Sequence, residues 1–171
     1  VFAESTKASV ADTIDKSFTG DFVIQTNTNS LEGGLSPELA KQLKALPELD
    51  QVSPIRVVPA EVNGKLTYPS VVEPSSFEQI FDAGVQQGVL RNLNTTQIAV
   101  KEDTAKSHGW KIGDRVTIKF VERAPQMFTI AAIYEDTNNT LGAYTIGIPA
   151  YDANVSRPFD MVIMITKADN A

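Results

Sequence analysis

The stretch "TAKSHGWKIGDRVTIKF" (104–120) brings together the residue types that most often carry chemistry. It contains the only histidine and the only tryptophan of the chain, His108 and Trp110. His108 could serve as a general base, because an imidazole exchanges protons near neutral pH. It also lies at the predicted end of a short helix, where a cationic histidine interacts favourably with the helix dipole. We expect His108 to be exposed and to have no catalytic role.

The glycines of the same stretch are typical of turns. Gly109 is predicted to end the helix, and Gly113 with Asp114 to form the tight entry into the next strand. Trp110 could anchor a partner protein. Because a tryptophan beside turns of this kind often covers the end of a small barrel, we expect residues 104–120 to form a barrel corner.

Metal ligands and paired carboxylates offer little further chemistry. One histidine and no cysteine leave only carboxylates for a metal. Glu135 and Asp136 are adjacent on a predicted strand and face opposite sides, which argues against an acid/base pair. The segment "DTNNTLG" (136–142) resembles a calcium loop but has Leu141 where an EF-hand requires glycine. We therefore predict no catalytic, cofactor or metal residues, and weak calcium binding by this loop stays open as an alternative.

Composition narrows the class of protein. The chain has 171 residues and a net charge of −6, and its lysines and arginines form no basic run, so a nucleic-acid partner is not expected. Neither a phosphate-binding glycine loop nor a nucleophile elbow is present. No apolar run reaches the ~20 residues that a bilayer crossing needs. One globular domain, or two small lobes, is expected.

The first part of the chain alternates helices and strands. An amphipathic helix is predicted over residues 3–18 and a strand over 21–26. Ser36 and Pro37 mark the start of the next helix, "SPELAKQLKAL", whose apolar stripe contains leucines at helical spacing. The prolines in "QVSPIRVVPAEV" predict a strand that lies at an edge or bends. Asn63-Gly64 predicts a hairpin turn.

The secondary structure predicted for the middle of the chain differs from that predicted for its end. Ser75 or Ser76 is predicted to cap a short helix that Gly84 closes. The strand "TQIAV", a short helix ending at Gly109 and an alternating antiparallel pair predict a small closed or half-closed barrel. The tail, "AYTIGIPAYDANV" followed by "FDMVIMIT", returns to the strand–helix–strand pattern.

This layout resembles the extracytoplasmic domain of MacB/FtsX-type ABC transporter permeases. Three segments carry the resemblance: "ASVADTIDKSFTGDFVIQT", "SPELAKQLKALPELDQVSPIRV" and "QIAVKEDTAKSHGWKIGDRVTI". The resemblance implies an α+β fold. Both ends of the chain, residues 1–75 and 143–171, would form a porter-like strand–helix–strand lobe. Residues 76–142 would form an inserted small antiparallel β lobe, called sabre-like.

The resemblance also implies a function and a location. The expected function is a non-catalytic module that couples cytoplasmic ATP hydrolysis to substrate export, or to control of an extracytoplasmic partner. Membrane helices are implied before Val1 and after Ala171, through which the domain would be tethered to the bacterial plasma membrane and connected to an ATP-binding subunit. A stand-alone extracytoplasmic protein that binds a peptide or a lipid is the alternative, and a hydrolase with paired carboxylates is a third hypothesis.

Two further expectations concern contact and geometry. Leu31 and Leu35 are apolar residues in the glycine-rich loop "NTNSLEGGL" (27–35), so they are candidate contacts with a partner protein. If both ends of the chain lead into a membrane, Asp21 and Thr166 should lie within roughly 20 Å of each other, the width of two adjacent helices.

Overall fold

The computed structural model describes residues 20, 22–25, 35–137, 139–156 and 162–168. The helix predicted over residues 3–18, as well as Asp21 and Leu31, lies outside the described residues. The described strands are β1 (Phe22–Gln25), β2 (Leu49–Val57), β3 (Ala60–Val62), β4 (Lys65–Thr67), β5 (Ser70–Val72), β6 (Val85–Gly88), β7 (Gln97–Lys101), β8 (Arg115–Phe120), β9 (Gln126–Tyr134), β10 (Tyr144–Gly147) and β11 (Val162–Lys167). The described helices are α1 (Pro37–Lys44), α2 (Pro74–Ile80), α3 (Glu102–His108) and α4 (Ile148–Asn154).

Local sequence signals account for several of these boundaries. Helix α1 begins as predicted, with Pro37 in its first turn and the Ser36 hydroxyl accepting a hydrogen bond from the Glu38 N–H. Asn63 and Gly64 both have positive φ, 49° and 82°, which is the geometry of a two-residue hairpin turn. Helix α3 ends at Gly109, whose φ of 69° is left-handed.

The start of helix α2 differs from the prediction. Pro74, and not Ser75 or Ser76, opens this helix, and Glu73 occupies the cap position without a side-chain hydrogen bond. The fixed φ of proline suits the first helical turn, so the proline outweighs the capping tendency of the two serines. The predicted cap was therefore wrong by two or three residues.

All described strands belong to one mixed sheet. Its order is β1-β11-β2-β5-β10-β7-β9-β8-β3-β4. Strand β6 does not belong to this order and pairs with β9. Most neighbours are antiparallel, but β10 with β5 and β7 with β9 are parallel. Strand β2 lies between β11 and β5 inside the sheet, so its one proline, Pro54, does not place it at an edge.

A long bent hairpin closes this sheet into a barrel. Strands β2 and β3 run along one arm and β4 and β5 along the other, with a register that continues through the bend, where the Val58 N–H donates to the Pro69 carbonyl at 3.1 Å. The bend predicted from the prolines thus falls at Val58–Pro59. On one side of the bend β3 pairs with β8, and on the other side β5 pairs with β10. The ring β5-β10-β7-β9-β8-β3/β4 is therefore complete.

Three apolar clusters hold the layers together. The barrel interior is filled by aliphatic and aromatic side chains, among them Val62, Val71, Ile98, Val100, Val116, Ile118, Phe120, Phe128, Ile130 and Ile146. A second cluster packs helix α2 against the outside of the barrel through Phe77, Ile80 and Phe81. A third lies between α1 and the β1-β11-β2 region. Each cluster buries apolar side chains between two layers of the fold. This burial stabilises the α+β architecture.

The lobes implied by the resemblance are joined in this sheet. Strand β10 pairs with β5 on one side and with β7 on the other, and the division between residues 75 and 76 falls within α2. The assignment of 1–75 and 143–171 to one lobe and 76–142 to another stays a prediction. No helix in the described part of the chain is long and apolar enough to cross a bilayer.

Candidate functional site

An open cleft lies at one end of the barrel, between the β3–β4 hairpin and helix α3. Its volume is about 520 Å³. The lining side chains are a mixture of apolar, aromatic and small polar groups: Val62, Asn63, Lys65, Leu66, Thr67, Thr104, Ser107, His108, Trp110, Ala143 and Tyr144. The residues singled out in the sequence, His108 and Trp110, therefore meet a hairpin that comes from a distant part of the chain.

His108 is exposed, as predicted, and the structure shows how it is oriented. Its Nδ1 lies 2.9 Å from the carbonyl oxygen of Thr104. Because a carbonyl oxygen can only accept, Nδ1 carries the proton in this contact. The imidazole is therefore held by its own helix.

Trp110 forms the wall of the cleft and the cap of the barrel. Its indole stacks on the His108 ring, with ring centroids 4.2 Å apart and an interplanar angle of 15°. On the barrel side it also approaches Tyr144, with ring centroids 6.3 Å apart. Trp110 is half-buried against the barrel cluster. The predicted barrel corner is confirmed by these contacts.

The charges around the cleft do not assemble a reacting pair. Among the described residues that line it, Lys65 and His108 carry basic groups and none carries a carboxylate. The nearby Glu102 binds Lys106 at 2.8 Å on the same helix, and this hydrogen bond raises the pKa of Lys106. Within the part of the chain that the structure describes, no three His, Asp or Glu side chains lie together as metal ligands would. The lining thus suits contact with a ligand better than proton transfer.

The loop that resembled a calcium site is organised by its own first residue. Asp136 is buried, and its carboxylate accepts hydrogen bonds from the backbone N–H groups of Thr140, Leu141 and Gly142 at 2.9, 2.9 and 3.0 Å. Both carboxylate oxygens are therefore used by N–H donors, as in an anion-binding turn. Glu135 is exposed and contacts Gln86 instead, so these two carboxylates do not share a site.

Sequence reasoning missed a buried hydroxyl network beside this loop. The Tyr134 hydroxyl donates to the Gly142 carbonyl at 2.7 Å and accepts from the Thr145 hydroxyl at 3.0 Å. Burial raises the pKa of the Tyr134 phenol well above its ordinary value. A tyrosine next to the acidic pair in "AAIYED" was the available signal, but the distant partners could not be read from the sequence.

A second polar group that the sequence reasoning missed is Arg56, within the apolar run "PIRVV". Its side chain is almost fully buried, contacts Asp152 at 3.1 Å and lies 5.0 Å from the centre of the Tyr151 ring. These contacts fasten helix α4 to strand β2. The arginine is therefore structural, and a lone charge in an apolar strand was the signal for it.

Of the two candidate partner contacts, one lies within the described residues. Leu31 lies outside them. Leu35 is half-buried and packs against the cluster beneath α1, together with Leu39 and Leu43. Its side chain is therefore partly committed to the fold.

The first and last described strands meet at one end of the sheet. Strands β1 and β11 are antiparallel, with Phe22 directly opposite Ile165. The Lys167 ammonium lies 5.0 Å from the centre of the Phe22 ring. Phe22 follows Asp21 in the sequence, and Ile165 precedes Thr166. The proximity that we expect for Asp21 and Thr166 therefore holds for these two described neighbours.

The fold of this chain is similar to the folds of several solved domains of transporter and permease proteins. The periplasmic region of MacB from Actinobacillus actinomycetemcomitans is similar, with a TM-score of 0.58 and 13% identity over 95% of this chain and 81% of that one. The extracellular domain of the noncanonic ABC-type transporter YknZ from Gram-positive bacteria has a TM-score of 0.58 and 12% identity, over 86% and 83% of the two chains. A domain of a protein classed as a permease from Porphyromonas gingivalis has a TM-score of 0.54 and 17% identity, over 87% and 74%.

The sequence agrees with the fold. The chain belongs to the family of MacB-like periplasmic core domains, whose sequence model matches residues 1–171. A comparison with curated protein sequences finds no match. The resemblance noted from the three sequence segments is thereby confirmed.

Proposed function

We propose that this chain is the non-catalytic, extracytoplasmic domain of an ABC transporter permease in a bacterial plasma membrane. It would couple ATP hydrolysis by a cytoplasmic ATP-binding subunit to substrate export, or to control of an extracytoplasmic partner. The observation that carries the proposal is the pairing of Phe22 with Ile165, because it brings the two ends of the domain together. A domain held by two membrane helices needs both attachments on one side.

The paired strands would also make the attachment stiff. Strand β11 lies between β1 and β2, so a displacement of either end reaches the sheet through backbone hydrogen bonds. The cluster beneath α1 adds apolar contacts at the same place. To drive a two-state change from 1:99 to 99:1, nucleotide must supply about 5.5 kcal/mol of differential free energy through this junction.

The gene sequence on both sides of this segment provides the first test. We expect an apolar run of about 20 residues before Val1 and another after Ala171. If neither flank contains such a run, the proposal fails, and the stand-alone peptide- or lipid-binding protein replaces it. The open cleft is the observation that keeps this second function in consideration.

A linker insertion tests the coupling itself. A flexible glycine–serine segment placed after Ala168 should abolish transport in the full permease while ATP hydrolysis and folding persist, because the sheet no longer follows the membrane helix. The matched control is the same insertion between Arg123 and Ala124, in an exposed turn between β8 and β9. Transport that survives the first insertion as well as the second would refute mechanical coupling.

We also propose that the 27–35 loop, through Leu31 and Leu35, contacts an extracytoplasmic partner. Deleting residues 30–34 should impair partner binding or transport and leave the fold intact, since the deletion spares Leu35 and the cluster that it contacts. A deletion variant that fails to fold would instead assign the loop to the core.

A further inference from the structure

We propose that the cleft beside β4 is a binding site for an extended, acidic polypeptide segment that adds as a strand to the free edge of the sheet. This inference goes beyond the coupling function and stands whether or not that function holds. Three independent properties of the cleft support it: an edge strand with outward backbone groups, an aromatic wall, and a lining that carries positive charge.

The edge is provided by β4. This strand is the last in the sheet order and pairs only with β3 among the described strands. Val62 and Lys65 face each other across the two-residue turn, so their backbone groups bond within the hairpin. The next residue, Leu66, therefore directs its N–H and C=O away from β3. An incoming strand can bond to these groups, which is the way many proteins capture extended peptides.

The apolar surface lies on both sides of this edge. The Leu66 side chain is 59% exposed and Tyr68, just beyond the strand, is 52% exposed. Trp110 and Tyr144 form the opposite wall of the cleft. Successive side chains of a strand point to opposite faces, so alternate residues of a bound segment would contact Leu66 or enter the cleft against Trp110.

The charge of the lining selects an acidic segment. The whole chain has a net charge of −6, yet among the described lining residues the charged and titratable groups are Lys65 and His108. The nearest carboxylate of the hairpin, Glu61, is opposite Leu66 in the register and belongs to the other face of the sheet from Lys65. A carboxylate on the segment can therefore pair with Lys65, and none of the described lining residues carries a carboxylate, which favours acidic over basic partners.

The single tryptophan makes the site directly observable. Trp110 is the only one in the chain and lies in the cleft, so its fluorescence reports occupancy. The probe is the acetylated and amidated peptide Glu-Val-Asp-Phe-Glu-Val-Asp, titrated into the 171-residue protein. The comparison peptide is Lys-Val-Lys-Phe-Lys-Val-Lys. We expect a saturable change in Trp110 emission with the acidic peptide and an affinity at least about tenfold lower for the basic one.

Two variants separate the charge from the edge. Lys65→Glu should weaken the acidic peptide about five- to tenfold and strengthen the basic one, whereas Lys119→Glu, an exposed lysine on strand β8 outside the cleft, should change neither by more than about twofold. Leu66→Pro removes the outward N–H, and an edge strand tolerates proline at such a position. It should reduce binding of both peptides, while circular dichroism verifies that each variant folds.

Backbone pairing also distinguishes a polypeptide from a small amphipathic anion. N-methylation of alternate peptide amides should abolish binding in one register, and methylation of the other set should spare it, because only one edge of an added strand faces β4. Equal loss in both sets, or equally tight binding of decanoate, would overturn the polypeptide proposal. Equal binding of the acidic and basic peptides, or unchanged binding in Lys65→Glu, would overturn the acidic specificity.

Discussion

The imidazole of His108 and the indole of Trp110 lie almost parallel, with centroids 4.2 Å apart. Both residues are tied to helix α3: the His108 ring contacts the Thr104 carbonyl, and the backbone N–H of Trp110 donates to the Ala105 carbonyl. His108 and Trp110, whose residue types most suggest catalysis in the sequence, thus form an aromatic wall of the cleft.

Replacing His108 by alanine should leave the fold intact. The side chain is exposed, so we expect the free energy of unfolding to change by no more than about 0.5 kcal/mol. The emission of Trp110 should change, because the stacked ring is removed. Urea unfolding followed by circular dichroism measures the first effect and fluorescence the second. A loss above about 2 kcal/mol would contradict the surface role.

Gly88 should tolerate no side chain. A Cβ atom there would lie 2.0 Å from the Ala131 carbonyl oxygen, and φ at this residue is +72°. We expect Gly88→Ala to cost about 3 kcal/mol or more, from left-handed strain together with displaced backbone.

The matched control for this prediction is Gly109→Ala. Gly109 has nearly the same φ, +69°, but a Cβ atom would find open space. It should therefore cost only about 1 kcal/mol. Thermal or urea unfolding of the two variants isolates the steric contribution, and equal losses would mean that the close approach in β6 relaxes freely.

Asp136 should matter for stability and not for calcium. In Asp136→Asn an amide NH₂ replaces one of the oxygens that accept the loop N–H groups, so a loss of about 2–3 kcal/mol is expected. The neighbouring Glu135→Gln, on an exposed side chain, should change stability by less than about 0.5 kcal/mol. Millimolar calcium should not raise the melting temperature of the natural chain; saturable stabilisation would revive the calcium loop.

Tyr134 should make the protein sensitive to alkaline pH. Burial raises the pKa of its phenol in the folded state, whereas the unfolded chain releases that proton near pH 10. Above about pH 10 the unfolded state therefore binds fewer protons, and stability falls as pH rises. Burial raises the pKa of Tyr144 in the same direction.

The variant Tyr134→Phe tests this dependence. It should cost about 1–2 kcal/mol near neutral pH, because the Gly142 carbonyl and the Thr145 hydroxyl lose a partner. The alkaline decline of its unfolding free energy, measured by urea titration between about pH 8 and pH 11, should be shallower than in the natural chain. Tyr68→Phe, at an exposed position, controls for removal of a hydroxyl. An unchanged slope in Tyr134→Phe would count against the buried phenol as its source.

The sequence by itself determined the features that depend on neighbouring residues. The Ser36–Pro37 start of α1, the Asn63-Gly64 turn and the Gly109 end of α3 follow from caps and φ preferences within a few positions. The exposed state of His108 followed in the same way from its place at a helix end. These signals are local, so they survive without knowledge of the fold.

Only the tertiary structure decided which strands meet. Alternating apolar residues indicate a strand but not its partner, because every strand offers the same backbone donors and acceptors. The continuous register of the bent hairpin closes the barrel and carries β4 to the face of α3, where Lys65 and Leu66 join Trp110 in one cleft. The same long-range pairing sets Phe22 beside Ile165 and turns Asp136 inward onto its own loop. The cleft and the paired chain ends arise from contacts between residues far apart in the sequence, and composition and periodicity carry no record of such contacts.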